Sequence, residues 1–174
     1  MTTHWSIYES PLGPLTLLAG PAGLTGLRFP GGDDRRDEGT RRPQAFAAAR
    51  RQLDEYFAGE RQAFELELDL GRGSAFQRGV WQRLRQIPYG STISYSELAE
   101  AVGRPDRLRA VAAAVGHTPV AIIVPCHRVI GADGSLTGYG GGLQRKAALL
   151  DLEARGAAGL PPEPAWAFRQ LTLA

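Results

Sequence analysis

At 174 residues, 43% of them hydrophobic, the chain holds enough apolar material to bury one large or two small cores, which excludes disorder as its main state. One cysteine, Cys126, and three histidines, His4, His117 and His127, exclude an internal disulfide and show no spacing of a metal cluster. The net charge of +2 is unevenly divided: residues 1–71 hold 8 Arg and 11 acidic residues, net −3, while residues 72–174 hold 12 basic and 7 acidic residues, net +5, a positive half that suits a phosphate backbone as well as plain solvation.

The opening Met1-Thr2-Thr3-His4-Trp5 shows no basic region followed by an apolar one, and no apolar run approaches the length of a membrane span, so a soluble cytoplasmic protein is expected. Trp5 to Glu9, Leu15 to Ala19 and Leu24 to Phe29 are short, partly alternating segments separated by Pro- and Gly-rich turns, which predicts an antiparallel meander. Pro30 to Gln44 is charged and rich in glycine, hence an exposed loop. It leads into Phe46, Ala49, Leu53, Tyr56 and Phe57 at helical spacing, with Gly59 as the stop. Phe64, Leu66, Leu68 and Leu70 alternate with charges and predict a further strand. Gly71-Arg72-Gly73 closes this domain, which carries no recognisable chemistry and reads as scaffold.

Ser74 and Gln77 form a capping box ahead of a helix whose apolar face is Phe76, Val80, Trp81 and Leu84, continued by Ile87. Ser94 and Glu97 form a second capping box for a helix running to Val102, with Leu98, Ala99 and Val102 buried and Gly103 ending it. Asp106 is the expected N-cap of a third helix, Arg107 to about Val115. Two helices joined by a tight turn make a helix-turn-helix candidate, and the second presents little bulk except Arg109 beside Ala110, Ala112 and Ala113. Small side chains let a helix lie close to DNA, and the shortage of polar base readers suits sequence-independent binding through the minor groove.

Val120 to Val124 reads as a short buried strand ending at Pro125, which sets Cys126 and His127 at its edge. A neighbouring imidazole stabilises a thiolate, the nucleophilic form, while the apolar flanks oppose ionisation. A small buried hydrophobe is the alternative reading of such a cysteine. Gly138-Tyr139-Gly140-Gly141-Gly142 lacks the Lys-Ser/Thr of a phosphate loop, which excludes nucleoside triphosphate binding there. Gln144 to Leu152 is helical, with Leu143, Ala147, Leu150 and Glu153 expected along one side, and the Ala- and Pro-rich tail from Gly156 is expected to pack loosely.

The hexapeptide Pro125-Cys126-His127-Arg128-Val129-Ile130 resembles the active-site signature of the O6-alkylguanine-DNA alkyltransferases, DNA-repair proteins that move an alkyl group from guanine onto their own cysteine. Arg109, 17 residues before Cys126, matches the family's arginine finger; Tyr95 matches the tyrosine that turns the target nucleotide out and protonates the leaving guanine; Tyr139 matches the pocket tyrosine; Glu153 falls on the family's buried glutamate. The resemblance covers about Ser74 to Gly156 in specific motifs.

The resemblance implies an α/β N-terminal domain, a small antiparallel sheet plus helix of ribonuclease H-like type, over residues 1–72, and a mainly α, winged helix-turn-helix-like domain over residues 73–174. It implies a catalytic set of Cys126, His127, Glu153 and Tyr95, DNA contacts from Arg109, Ala110, Tyr95 and Arg128, and a substrate pocket of Val115, Val129, Tyr139 and Gly140. The implied reaction is stoichiometric, irreversible alkyl transfer to Cys126 from O6 of a flipped guanine, with O4 of thymine as a further alkyl donor to test. It needs no cofactor and no metal, and the zinc-binding portion of some relatives has no match here. The implied partner is double-stranded DNA containing O6-alkylguanine, bound by a protein that is monomeric in solution, with cooperativity on DNA left open.

The chain also departs from the family. Ala112 stands where glycine is usual, Gly140 where some members have serine, and Thr118 where the family has a hinge asparagine. A hydroxyl has one donor where an amide has two, so a less firmly tied active-site joint is expected at Thr118. A non-catalytic binding module for alkylated DNA and a Cys-His hydrolase are the alternatives; the first lacks a reason for Cys126, the second lacks a recognisable oxyanion hole.

Overall fold

The computed structural model describes residues 3–31 and 39–163. The three expected strands form as β1 (His4–Ser10), β2 (Gly13–Gly20) and β3 (Gly23–Arg28), and their antiparallel register places Tyr8 opposite Leu15 and Leu17 opposite Leu27. Alternation turns Leu15, Leu17 and Leu27 inward, where they are almost wholly buried. A fourth strand, β4 (Thr40–Arg41), pairs parallel to β1 and gives the order β3-β2-β1-β4. It lies in the stretch expected to be an exposed loop. Both its residues are exposed, so no apolar alternation marks it, and residues 32–38 of that loop lie outside the described residues.

A 3-10 turn, Pro43–Phe46, feeds α1 (Ala47–Phe57), which covers the sheet with Ala49, Gln52, Leu53 and Tyr56. Gly59 follows with φ of 76°, a left-handed stop. The strand expected over 64–70 forms as an extended segment with a single bridge, Leu68 to Leu24. The reason is a competing partner: the Gln52 side-chain amide accepts from the Glu65 N–H at 2.8 Å and donates to the Glu65 carbonyl at 3.1 Å, taking the groups a ladder would use.

Both capping boxes form, at the starts of α2 (Ala75–Leu84) and α3 (Tyr95–Ala101). Leu98 and Ala99 are buried, whereas Val102 is half-buried at the C-cap of α3, and Gly103 follows with φ of 75°. The next helix, α4, spans Leu108–Gly116 and is not capped by Asp106. Asp106 sits inside a 3-10 turn, Pro105–Arg107, with its carboxylate on the Arg104 guanidinium at 3.2 Å. Val111, Ala114 and Val115 bury α4 against α2, and the Trp81 indole donates to the Ala114 carbonyl at 2.8 Å.

The apolar run Val120–Val124 is buried but is not a strand. Ile122 has φ of 71°, and the amides of Val124 and Ile123 donate back to Val120 and Ala121, so the chain turns within the run. Its first residues pair with β3: Leu27 donates to Pro119 and Ala121 donates to Leu27 at 3.0 and 3.2 Å. The segment leading to Cys126 is thereby laid along the edge of the N-terminal sheet. A short parallel pair, β5 (Ile93–Ser94) with β6 (Val129–Ile130), fastens the start of α3 beside the segment that follows Cys126.

The last helix, α5 (Leu143–Ala157), turns a different side inward from the one expected. Lys146, Leu149 and Glu153 form its buried row together with Ala148; Leu143 is exposed and Ala147 and Leu150 are half-buried. The helix also extends through Ala157, so the expected loose tail begins later than Gly156, and its residues 164–174 lie outside the described residues. No helix among the described residues is long and apolar enough to cross a membrane.

Candidate active site

Cys126 opens a 3-10 turn, Cys126–Arg128, capped by Pro125. With about three residues per turn, successive side chains in such a turn diverge by roughly a third of a circle. That divergence separates the two neighbours: Cys126 lines a cavity of about 370 Å³, while His127, wholly buried, points into the protein. The cavity is also lined by Val115, Thr118, Tyr139 and Gly140, and by Leu27, Arg28 and Phe29 from the end of β3. Scaffold is therefore too narrow a description of residues 1–71, since β3 supplies one wall.

Burial pushes the Cys126 thiol up to about 11. Thr118, the local backbone, Lys146 and Tyr139 act the other way, each favouring the thiolate. The Tyr139 hydroxyl is buried with no conventional hydrogen-bond partner and faces this sulfur. Among the described residues no hydrogen bond joins His127 to the thiol, and the 3-10 turn sends the two adjacent side chains in different directions.

His127 meets Glu153, with Nε2 2.8 Å from Oε2, and its buried Nδ1 has no hydrogen-bond partner among the described residues. Glu153 is 1% exposed. Burial alone would raise its carboxyl, but hydrogen bonds and charge from His127 and Arg128 outweigh that and hold it at about 2, an ionised carboxylate at any working pH.

Arg128 is not placed for contact with DNA. Its guanidinium is buried, donating from Nε and Nη2 to the two oxygens of Glu153 at 2.7 and 2.9 Å and from Nη1 to the Ile87 carbonyl at 2.6 Å. Val129 likewise does not line the cavity; it is fully buried in β6, opposite Ile93.

Tyr95, the first residue of α3, is half-buried beside the cavity, with its hydroxyl 3.5 Å from the Thr137 carbonyl. Burial raises its pKa, and the nearness of Cys126 adds to the rise, so it is a phenol with a proton to give. Arg109 is exposed on α4, with Ala110 half-buried next to it. Gly140 has open space where a side chain would stand, so a serine there would meet no obstacle.

Two neighbours of the candidate site escape a sequence reading. Lys146 is wholly buried, donates to the Thr137 carbonyl at 2.9 Å, lies 5.9 Å from the Tyr95 ring centre, and has its pKa lowered by burial. It is the only lysine among 19 arginines, a compositional signal that could have singled it out. Tyr56 of α1 donates to Glu153 at 2.7 Å across 97 residues of sequence, and nothing in its helical spacing distinguishes it from core.

Comparison with known proteins matches residues 3–70 to the family described as 6-O-methylguanine DNA methyltransferase, ribonuclease-like domain, and residues 75–155 to its DNA binding domain. The methylated-DNA–protein-cysteine methyltransferase of Mycolicibacterium paratuberculosis is 56% identical over 84% of this chain and 90% of that protein. Its namesake from Methanosarcina acetivorans is 45% identical over 86% and 97%. The crystal structure of Mycobacterium tuberculosis OGT in complex with DNA superposes with a TM-score of 0.86 at 52% identity, covering 95% of this chain and 99% of that one.

Proposed function

The chain belongs to the 6-O-methylguanine DNA methyltransferases, and from that membership we propose that Cys126 is the residue that takes the alkyl group from O6 of guanine in double-stranded DNA. The observation that carries the assignment is singular. A family that repairs DNA by methyl transfer to cysteine has, in this chain, one cysteine, and that cysteine lines a cavity backed by a buried His127–Glu153 pair.

The chemistry is direct displacement. The sulfur forms a bond to the alkyl carbon as the bond from that carbon to O6 breaks, and guanine leaves. The thiol proton passes toward His127, whose unpartnered Nδ1 is the available acceptor, and Glu153 stabilises the imidazolium that results. Since no hydrogen bond joins the sulfur to the imidazole, that transfer runs through a water molecule, which takes the thiol proton and gives one of its own to Nδ1. Tyr95 protonates the departing base. The thiolate is scarce at neutral pH with a thiol near 11, so it is generated during reaction, with Thr118, Tyr139 and Lys146 around the developing charge.

A base inside a duplex is out of reach, so the nucleotide must be flipped, at a cost of a few kcal/mol. Exposed Arg109 on small-residue α4 is the side chain to fill the vacancy, which supports binding through the minor groove. The product thioether resists water, so each molecule acts once.

Mass spectrometry of the protein after incubation with duplex DNA containing O6-methylguanine tests the reading. One methyl on Cys126, with a plateau at one per chain, is the expected result. A binding module or a hydrolase leaves Cys126 unmodified, and repeated turnover would refute the single-use reading. Cys126→Ala is expected to abolish transfer while retaining DNA binding, and the same assay with O4-methylthymine decides whether that base is a second methyl donor.

A further inference from the structure

Glu153 is completed by the other domain. Its Oε2 accepts from His127 Nε2 at 2.8 Å, from Arg128 Nη2 at 2.9 Å and from the hydroxyl of Tyr56, on α1, at 2.7 Å. Tyr56 and His127 are wholly buried and Glu153 is 1% exposed, so solvent does not screen these bonds. Three donors on one carboxylate oxygen compete for its electron density. Every donor added beside His127 leaves that oxygen a weaker acceptor for the imidazole N–H.

We propose that Tyr56 is a positioning residue for alkyl transfer: through Glu153 it sets how strongly His127 attracts the thiol proton, which makes the N-terminal domain part of the proton-transfer apparatus. The inference rests on the roles of Cys126 and His127 given above. The groups facing Glu153 are few. His127 and Arg128 come from the 3-10 turn and Tyr56 from α1; near it lie Tyr89, between α2 and β5, and Tyr139 of the glycine loop, phenols that burial above all, and also the Glu153 charge, hold in their protonated form. Burial, then the Glu153 charge, push the Tyr56 phenol well above its ordinary value. It therefore stays a proton donor through the whole pH range in which the reaction runs, and its effect is a constant bias.

A purely structural Tyr56 and a tuning Tyr56 differ in one observable. If the hydroxyl only packs, its removal lowers the melting temperature and leaves the pH dependence of transfer where it was. If it tunes, removal makes Glu153 Oε2 a better acceptor for the His127 N–H and moves the pH dependence of transfer toward higher pH.

The experiment is single-turnover methyl transfer from O6-methylguanine duplex DNA to the full chain, followed across pH, for the unaltered protein, Tyr56→Phe and Tyr56→3-fluorotyrosine. The first variant removes the donor at nearly constant volume; the second strengthens it. The acid limb is expected to move up by roughly half a unit to one unit in Tyr56→Phe and down in the fluorinated protein. Coincident limbs in folded variants would overturn the proposal. Should Tyr56→Phe fail to fold, the fluorinated protein decides alone, since it keeps the hydrogen bond. No methyl on Cys126 in the unaltered protein would overturn the functional reading itself, and this inference with it, before any variant is made.

Discussion

The hydroxyl of Thr118 donates to the carbonyl of Val115 across 2.7 Å, closing the end of α4 onto the segment that leads to Cys126. The joint expected to be loose is therefore tied, by a shorter route than an asparagine amide would take. The same hydroxyl lies against the Cys126 sulfur and favours its ionisation. With a single proton to donate, it can hold Val115 while the thiol is neutral and turn to the sulfur as the thiolate forms. Thr118→Val, which keeps the β-branch, is expected to lose about 0.5–1.5 kcal/mol of stability and to slow methyl transfer. Thr118→Asn is expected to bring no gain in melting temperature. Denaturant titration and single-turnover rates check both; an unchanged rate in Thr118→Val would remove the hydroxyl from the chemistry.

Stability above pH 9 carries a signature of the buried thiol. The folded chain holds the Cys126 proton up to about 11, against 9.0 for a free thiol, so folding binds a proton more tightly than the unfolded chain does. For a raised acidic group the sign is negative: stability is unaffected below about pH 9 and falls as the pH climbs toward the folded value. The loss amounts to a few kcal/mol once both states are ionised. Cys126→Ser and the methylated protein have no ionising thiol and are expected to lose less stability than the unaltered chain between pH 9 and 11. Parallel unfolding curves for all three would show that the thiol is not desolvated.

What the sequence made legible was local. The capping boxes Ser74–Gln77 and Ser94–Glu97 are polar pairs three residues apart, and both form. The meander follows from alternation and turn residues. Burial of Val120–Val124 was legible in its apolar run, but its path was not, because a β-branched residue in the left-handed region, Ile122, is one that no local preference announces. The alternation of Phe64–Leu70 identified an extended segment without revealing that Gln52 would occupy its backbone groups. Within the candidate site, Cys126 and His127 stood out as a lone thiol beside an imidazole and Glu153 through resemblance, whereas the buried placement of Arg128 and the nearness of Tyr56 and Lys146 were not legible. Buried polar side chains are defined by partners far away in sequence, and helical periodicity cannot separate them from core.

Arg109 separates flipping from chemistry. It is exposed on α4, away from the buried face of Val111, Ala114 and Val115. Arg109→Ala should therefore change stability by less than about 0.5 kcal/mol, as surface substitutions do. Transfer from duplex DNA should fall far more than transfer from a free O6-alkylguanine base, which needs no extrusion. Equal loss on both substrates would place the effect in folding or in the cavity, and the assignment of Arg109 to the duplex would fail.

Arg145 is the strut of the glycine loop. Its Nε donates to the Leu12 carbonyl in the β1–β2 turn at 2.9 Å, its Nη1 donates to the Gly141 carbonyl at 3.0 Å, and the guanidinium lies 5.7 Å from the centre of the Phe29 ring. Phe29 in turn meets Tyr139 edge-on at 5.6 Å and packs where a side chain at residue 141 would stand. One planar fork thus holds the N-terminal domain against the loop that carries Tyr139 and Gly140 into the cavity. Arg145→Ala removes both bonds and leaves the loop held by Lys146 and Tyr95 at Thr137 and by the Phe29–Tyr139 contact. It is expected to cost about 1–3 kcal/mol of stability and to let Cys126 react faster with iodoacetamide while methyl transfer becomes slower, because an open cavity admits a small reagent but no longer orients the alkyl group. Arg145→Lys should recover only part of the loss, since an ammonium cannot bridge both carbonyls in that fixed geometry. The ratio of the iodoacetamide rate to the methyl-transfer rate is the measurement. A ratio unchanged from the unaltered protein, with both rates falling together, would mean that Arg145 supports the fold as a whole and does not position the loop.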